Sequence, residues 1–353
     1  MEPMVLVLGV SAGAGGARAI LTHSDQPHLP PIDRCVVPRR AGAGVEEPVF
    51  TAIETMRRCA AERDEFVTGV AVTSRCALHA ETIRAAAGRS RLTVVDEPLA
   101  QLRYLRFTGQ LPEQGAVLLY DLGSAGLTLT EADCRTEAIL AGTHSTLLGG
   151  DGHDALLRWR LAHSGVSIDN VTSRAYKERL SHTPVLTAGD PATGERIVLT
   201  RSDFHELVLA GVHHSVSYVR QLIEETGVPP RAVALLGGCT RSPSIRESLE
   251  QLLDLPLIYD PEPDFVSVRG AVLMATEQPA TRWVRSIRFT PPPRAPRVSR
   301  RKLVAALVVT ATLGATVTGL LVTGHDSANS GRYGVPSGPM EVAGTTSDRV
   351  PGR

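Results

Sequence analysis

The sequence predicts an α/β protein with layered sheets, on three observations. Short apolar runs suited to buried strands alternate with segments of helical spacing from residue 5 to residue 95, which implies largely parallel pairing. A strand, a tight turn and a second strand occur twice, at Val5–Leu21 and again at Val117–Thr130. The apolar run Ala232–Leu236 gives way to Gly237-Gly238 and a helix start, an arrangement that lines a pocket with backbone N–H groups. At 353 residues the chain can hold two lobes with proper cores.

Composition excludes several classes. Formal net charge is zero, so nothing overall points to a nucleic-acid partner. The five cysteines are scattered, without a Cys-x-x-Cys pair. That fits reduced thiols and neither a disulfide framework nor a zinc site. The Met1 end has no basic-then-apolar stretch with a cleavage site, so no signal peptide is expected.

The elements follow in order. Val5–Val10 reads as a strand, followed by Gly9-Val-Ser-Ala-Gly-Ala-Gly-Gly16 and a second apolar segment at Ala17–Leu21. Such a turn brings N–H groups onto a phosphate, and it serves equally as a surface hairpin. Ile32–Val37 reads as a strand, Glu47–Arg63 as a helix, Phe66–Val72 as a strand, Ala77–Ala87 as a helix and Leu92–Val95 as a strand. Asp96-Glu97-Pro98 then opens a helix, with Pro98 at a tolerated first-turn position. Asp121 and Gly123 sit in the second turn. Asp121 reads as a ligand of hydrated Mg²⁺ or as a turn-capping Asp.

Leu148-Gly149-Gly150 precedes a helix expected from Ala155, and His144 and His153 read as polar loop residues with no third metal ligand in register. Thr172–Ser181 is a basic helix that carries Lys177. Thr183–Val185 and Ile197–Thr200 read as a small hairpin. A long helix starts near Ser202, with Val208, Val212, Val216 and Val219 on one face. After the strand at Ala232–Leu236, Thr240 and Ser242 are expected to cap the next helix, with Pro243 in its first turn. Ile245–Leu253 is that helix, and Gly270 in the closing segment would allow close packing.

The wording of these segments resembles a known family. Leu236-Gly-Gly-Cys-Thr-Arg-Ser-Pro243 resembles the adenosine motif of the heat-shock-70 (DnaK-type) chaperones, within the actin-like ATPase superfamily. Pro263-Asp-Phe-Val-Ser-Val-Arg-Gly-Ala271 is similar to their closing helix, and Glu97-Pro-Leu-Ala100 to the segment whose Glu positions the attacking water. Asp121-Leu-Gly123, Leu148-Gly149-Gly150 with Asp154, and Lys177-Glu-Arg-Leu-Ser181 match further motifs in the same order. The resemblance covers roughly residues 4–277. It implies a two-lobed actin-like ATPase fold of duplicated ribonuclease-H-like lobes, lobe one at about 1–110 and lobe two at about 111–279. It implies ATP or ADP as cofactor. Gly9, Ser11, Gly13, Gly123, Gly149, Gly150, Lys177, Gly237, Gly238 and Arg241 would be the binding residues, Glu97 and Asp121 the catalytic ones, and Asp121 a water-mediated Mg²⁺ ligand.

The departures bear on activity. Ser11 stands where the family has a metal-facing Asp, and Ser124, Ala125 and Gly126 replace two glycines and a threonine. The insertion that carries the family's catalytic Lys has no counterpart. Phosphoryl transfer depends on positioning and on stabilising spreading charge, so nucleotide is expected to bind and to turn over slowly or not at all. An active membrane-proximal chaperone and a nucleotide-free scaffold are the alternatives.

Nothing after Thr276 matches the family's peptide-binding half. Residues 282–302 carry eight basic residues and no acidic ones, broken by prolines. Residues 303–324 are uncharged and mainly apolar, and as a helix they reach about 33 Å, enough for a hydrocarbon core of ~30 Å. A single transmembrane helix is expected there. Basic residues before it place the large domain in the cytoplasm, against the lipid bilayer and an unknown protein partner. The Gly-, Ser- and Pro-rich tail after residue 324 is expected to be disordered outside the membrane.

Overall fold

The computed structural model describes residues 5–276 except residues 28 and 89. Two five-stranded mixed sheets carry the fold, and their strand orders are the same when read in chain order. In the first, β1 (Leu6–Gly13) and β2 (Gly16–His23) form an antiparallel hairpin, and β3 (Asp33–Pro38) pairs along β2. On its other side β1 pairs in parallel with β4 (Val67–Ser74), which pairs in parallel with β5 (Thr93–Asp96). In the second, β6 (Ala116–Leu122), β7 (Leu127–Asp133) and β8 (Ile139–Ser145) are antiparallel. There β6 pairs in parallel with β11 (Pro230–Leu236), and β11 with β12 (Leu257–Tyr259). Two mixed sheets of this order fit a two-lobed actin-like fold.

The core follows from which faces are apolar. The β1 strand is buried along seven of its eight positions, as a central strand covered on both faces must be. α1 (Glu46–Ala61) covers one face of sheet one, with Val49, Ile53 and Met56 against Leu8, Val10 and Leu21; α2 (Ala77–Ala87) adds Ile83. α6 (Arg201–Thr226) lays Phe204, Val208, Val212, Val216 and Val219 along one face of sheet two, and α7 (Pro243–Leu252) adds Ile245 and Leu249. Thr200 and Asp203 form a reciprocal capping box that starts α6, and Gly227, with φ 64°, ends it.

The inner faces are covered by exchange. α3 (Glu97–Phe107) leaves sheet one and packs Leu102 and Leu105 against Val117, Leu119, Ala234 and Leu236 of sheet two. α8 (Val266–Thr276) leaves sheet two and packs Val268, Ala271, Val272 and Ala275 against Val7, Ile20 and Ala71 of sheet one. The two helices cross at Gly270, where a Cβ would fall onto the Ala100 carbonyl. The small residue that the sequence suggested for close packing is required at that crossing.

Most expected elements lie within a few residues of their sequence positions. Two strands were not expected: β8, and β12, which is three residues long. The helix after Leu148-Gly149-Gly150 is α4 (Gly150–His163), starting five residues before Ala155. After α4 come α5 (Asn170–Leu180), which packs beside it, and the hairpin of β9 (Val185–Gly189) and β10 (Arg196–Thr200), which packs against α5 and α6. No helix among the described residues is long and apolar enough to cross a membrane. The expected transmembrane run at 303–324, the basic stretch before it and the tail after it lie outside the described residues.

Candidate functional site

The C-terminal ends of the parallel strands and the two hairpin turns open on one cleft of about 560 Å³. Ser11, Gly13, Glu97, Asp121, Gly123, Gly150, Lys177, Gly237, Gly238 and Arg241 all line it. These ten sequence-selected residues come from seven different elements or turns, so only folding brings them together.

The first turn joins β1 to β2 through Ala14-Gly15, with Gly13 paired to Gly16. The second spans Gly123–Gly126, closed by the Gly123 N–H donating to the Gly126 carbonyl at 2.9 Å. The turns meet, and a Cβ on Gly15 would lie 2.8 Å from Ser124 Oγ. Beneath the second turn, the N–H groups of Gly150 and Asp151 donate to the carbonyls of Gly123 and Ser124 at 2.9 and 2.8 Å. Two of the free donors at the α4 N-terminus are thereby satisfied within the chain.

Gly149 lies outside the cleft lining. A Cβ there would meet the backbone of Ser124, Ala125 and Gly126 at 2.5–2.8 Å, so it is small in order to seat the turn. Gly9 is also elsewhere, against α8, where a Cβ would be 2.5 Å from the Val268 carbonyl. Both serve packing.

The third side is the turn after β11. Gly237 has φ 81°, and a Cβ would meet Asp121 Oδ1 and the Leu122 carbonyl, each at 2.5 Å, so both conformation and space demand glycine. Gly238 is open: nothing lies nearer than 3.9 Å to its Cβ position. Residues Gly238–Arg241 form a 3₁₀ turn before α7. The Thr240 hydroxyl donates to the Gly237 carbonyl at 2.8 Å. Ser242 makes no cap, and its buried hydroxyl has no partner while facing the cleft. The capping expected of both side chains is therefore corrected. Arg246 tightens the turn instead, donating to the carbonyls of Thr240 and Arg241 and stacking over Tyr259 at 4.3 Å. Cys239 lies inside the turn, where burial pushes its thiol up to about 11.

Charges are paired across the cleft. Asp264, which precedes α8, is held by Arg18 of β2 at 3.0 Å and by Arg241 at 2.9 Å. Arg18 and Arg34 also lie over the Phe265 ring, at 5.9 and 5.3 Å. Lys177 reaches Asp154 at 2.6 Å and donates to the Gly150 carbonyl at 2.8 Å. It faces the cleft, with its side chain 13% exposed. The histidines are not loop residues. His144 is on β8, bonded to Thr128 at 3.1 Å. His153 is buried on α4 against Phe204, and burial pushes its pKa down to about 4.

Glu97 and Asp121 are the buried pair on the cleft floor. Asp121 Oδ2 accepts from Gln101 Nε2 at 2.7 Å, and that amide also reaches Ser267 at 3.0 Å. Burial raises the Asp121 pKa, with Arg75 opposing. Burial, then the Asp121 charge, push Glu97 up to about 7, again opposed by Arg75. Arg75 follows β4 directly, with Nε 3.8 Å from Glu97 Oε2. Sequence reading passed over Arg75 and Arg18. The signal available was the duplication: Arg75 follows β4 as Gly237 follows β11.

The cleft chemistry can be tested against the groups the family resemblance implies. An adenine nucleotide fits: the open Gly238 backbone, the unpartnered Ser242 hydroxyl and the cations of Arg18, Arg75, Lys177 and Arg241 suit a phosphorylated, hydroxylated ligand. Mg²⁺ does not. The ion takes one or two carboxylates with waters and phosphate oxygens, and the two carboxylates at this place, Glu97 and Asp121, already face the Arg75 cation, while Ser11 supplies none. No group of three acidic, His or Cys side chains able to hold a metal occurs among the described residues.

Comparison with known proteins agrees with the geometry. The chain is 32% identical over 179 residues to a chaperone protein HscA homolog of Methylococcus capsulatus, covering 46% of this chain and 29% of that protein. It is 30% identical over 205 residues to the HscA homolog of Azotobacter vinelandii, covering 54% of this chain and 32% of the relative. It is 25% identical over 200 residues to that of Shewanella denitrificans, covering 52% and 32%. The chain thus spans about a third of the length of these relatives. No protein-family model matches it. The similarity supports a heat-shock-70-like, actin-like ATPase fold.

Proposed function

We propose that the protein is a membrane-anchored, heat-shock-70-like nucleotide switch. It binds ATP or ADP between its lobes and hydrolyses ATP weakly or not at all. The observation that carries this reading is the convergence of ten residues, from separate segments, on one cleft. The chaperone relatives support a nucleotide-binding role. Adenosine would lie against Gly237, Gly238 and Arg241, on the side of Lys177. The phosphates would lie toward the two turns, Arg75 and Glu97. ATP supplies the phosphoanhydride bond, and the residues around it are poor in the groups that break it. Ser11 and Ser124 stand where the family has phosphate- and metal-facing residues.

The crossing of α3 and α8 supports the switch itself. A ligand that grips both turns would set the angle between lobes joined at Gly270. The apolar run 303–324 and the basic stretch before it motivate the membrane anchor, with a protein partner at the cytoplasmic face. A second reading, a nucleotide-free scaffold, is favoured by the contact of the first turn with Ser124.

Titration calorimetry of ADP and ATP into the full chain tests the reading, followed by steady-state turnover. Binding with turnover indistinguishable from blank is expected. No heat at millimolar nucleotide would leave the scaffold. Rapid turnover abolished by Asp121→Ala would replace the switch with an active ATPase.

A further inference from the structure

We infer that Arg75 is a built-in counterion that stands where a metal ion would otherwise sit, so that this cleft binds the phosphates of an adenine nucleotide without Mg²⁺. The inference rests on the nucleotide reading above and sharpens it.

Position comes first. Arg75 directly follows β4, whose parallel partner β1 carries Ser11 at the same level as Thr73. Its side chain is 19% exposed, lines the cleft and lies 3.8 Å from Glu97. Its Nη2 is 3.5 Å from where a Cβ of Gly123 would stand. It is therefore between the two carboxylates and the phosphate-side turn.

Its bonding is incomplete. A guanidinium carries five N–H donors. Among the described residues, that of Arg75 has one ion-pair partner, at a long distance, and no hydrogen-bond acceptor. Four other cations of the cleft wall are held by carboxylates. Arg18 and Arg241 share Asp264. Lys177 and Arg174 share Asp154. Arg75 has donors to spare beside the two carboxylates, and a phosphate oxygen is an acceptor that its planar fork matches.

A dication at the same place is disfavoured on two counts. Like charges a few ångströms apart repel strongly away from bulk water. The Asp121 carboxylate is also oriented by other groups: Oδ2 accepts from Gln101, and Oδ1 lies 2.5 Å from where a Cβ of Gly237 would stand.

The test is calorimetry of ATP into the full chain, in excess EDTA and in excess Mg²⁺, for the wild type and for Arg75→Ala and Arg75→Lys. The wild-type affinity is expected to be the same in both buffers within about twofold, since the charge-assisted contacts come from the side chain. Arg75→Ala should weaken binding about ten- to a hundredfold, the worth of a hydrogen bond to a charged group. Arg75→Lys should lose less. Wild-type binding that tightens about tenfold or more with Mg²⁺, a metal-bridged phosphate in the usual sense, would overturn the inference and leave the nucleotide reading intact. So would an Arg75→Ala protein that binds like the wild type. Absence of binding in both buffers would overturn the nucleotide reading, and this inference with it. The wild-type comparison stands even if a variant fails to fold.

Discussion

The two lobes share a strand order and differ in what was built on it. After its third strand, lobe one passes to α1 through residues 39–45. Lobe two passes from β8 to α6 through residues 146–200, which hold α4, α5 and the β9–β10 hairpin. The heads of the equivalent helices differ too. Glu97 opens α3, buried, with its nearest cation 3.8 Å away. Asp264 precedes α8 and is gripped from two sides at 3.0 and 2.9 Å. The duplication is kept where sheets and helices must pack and abandoned where a ligand would be held. Lobe two supplies the wall proposed for adenosine. Lobe one supplies a turn, a buried acid and an arginine.

The largest effect expected is at the joint the lobes share. Gly270→Val drives a branched side chain into the Ala100 backbone and should cost ~3 kcal/mol or more, through overpacking of two rigid helices. Gly152→Ala is the control on α4, where a Cβ would meet nothing within 4 Å; it should be neutral or stabilising by up to ~1 kcal/mol. Urea unfolding of both variants measures this. A Gly270→Val protein as stable as the wild type would mean that the helices are not locked at that crossing.

Next come the two acids. The folded state raises the Glu97 pKa to about 7, so it holds a proton that the unfolded chain releases at ordinary glutamate values. The stability this contributes is complete below the unfolded pKa and is lost as pH rises through about 7. Glu97→Gln should therefore be more stable than the wild type at pH 8 by roughly 1–3 kcal/mol, with the difference vanishing near pH 4. Asp264→Asn should move the other way, losing about 1–2 kcal/mol by leaving Arg18 and Arg241 unneutralised. Melting curves across pH decide it. A Glu97→Gln variant that is no more stable than the wild type at any pH would remove the contrast between the two helix heads.

The smallest effect is expected at the rim. Arg34 pairs with Glu262 with 53% of its own side chain exposed. Arg34→Ala should cost under ~1 kcal/mol, and less in high salt. A larger, salt-insensitive loss would show that lobe one is fastened to the Glu262–Phe265 loop more by the stacking on Phe265 than by charge.

Much of this was legible in sequence because the signals are local. Helical spacing of Val208, Val212, Val216 and Val219 marks α6, and glycine pairs mark turns where backbones touch. β8 was hidden because it is an edge strand exposed along most of its length, so no alternation of apolar and polar residues betrays it. β12 is too short and too partly buried to register. Gly9 and Gly149 were selected with the right residue type for a different reason, since close packing and phosphate approach both call for glycine. Arg75 was invisible because its partners lie on other elements: Glu97 heads α3 and Gly123 lies in the β6–β7 turn. Charge means little in sequence until folding removes the water around it.

The exchange of α3 and α8 has a consequence for how the chain is made. Val7, Ile20 and Ala71 leave the ribosome well before Val268, Ala271 and Val272, on which they pack. At about 5–20 residues per second, the interval between α3 and α8 lasts roughly 10–35 s. Throughout that interval the first sheet has one apolar face uncovered. The order of synthesis thus leaves that face open to water until the last described helix has been made.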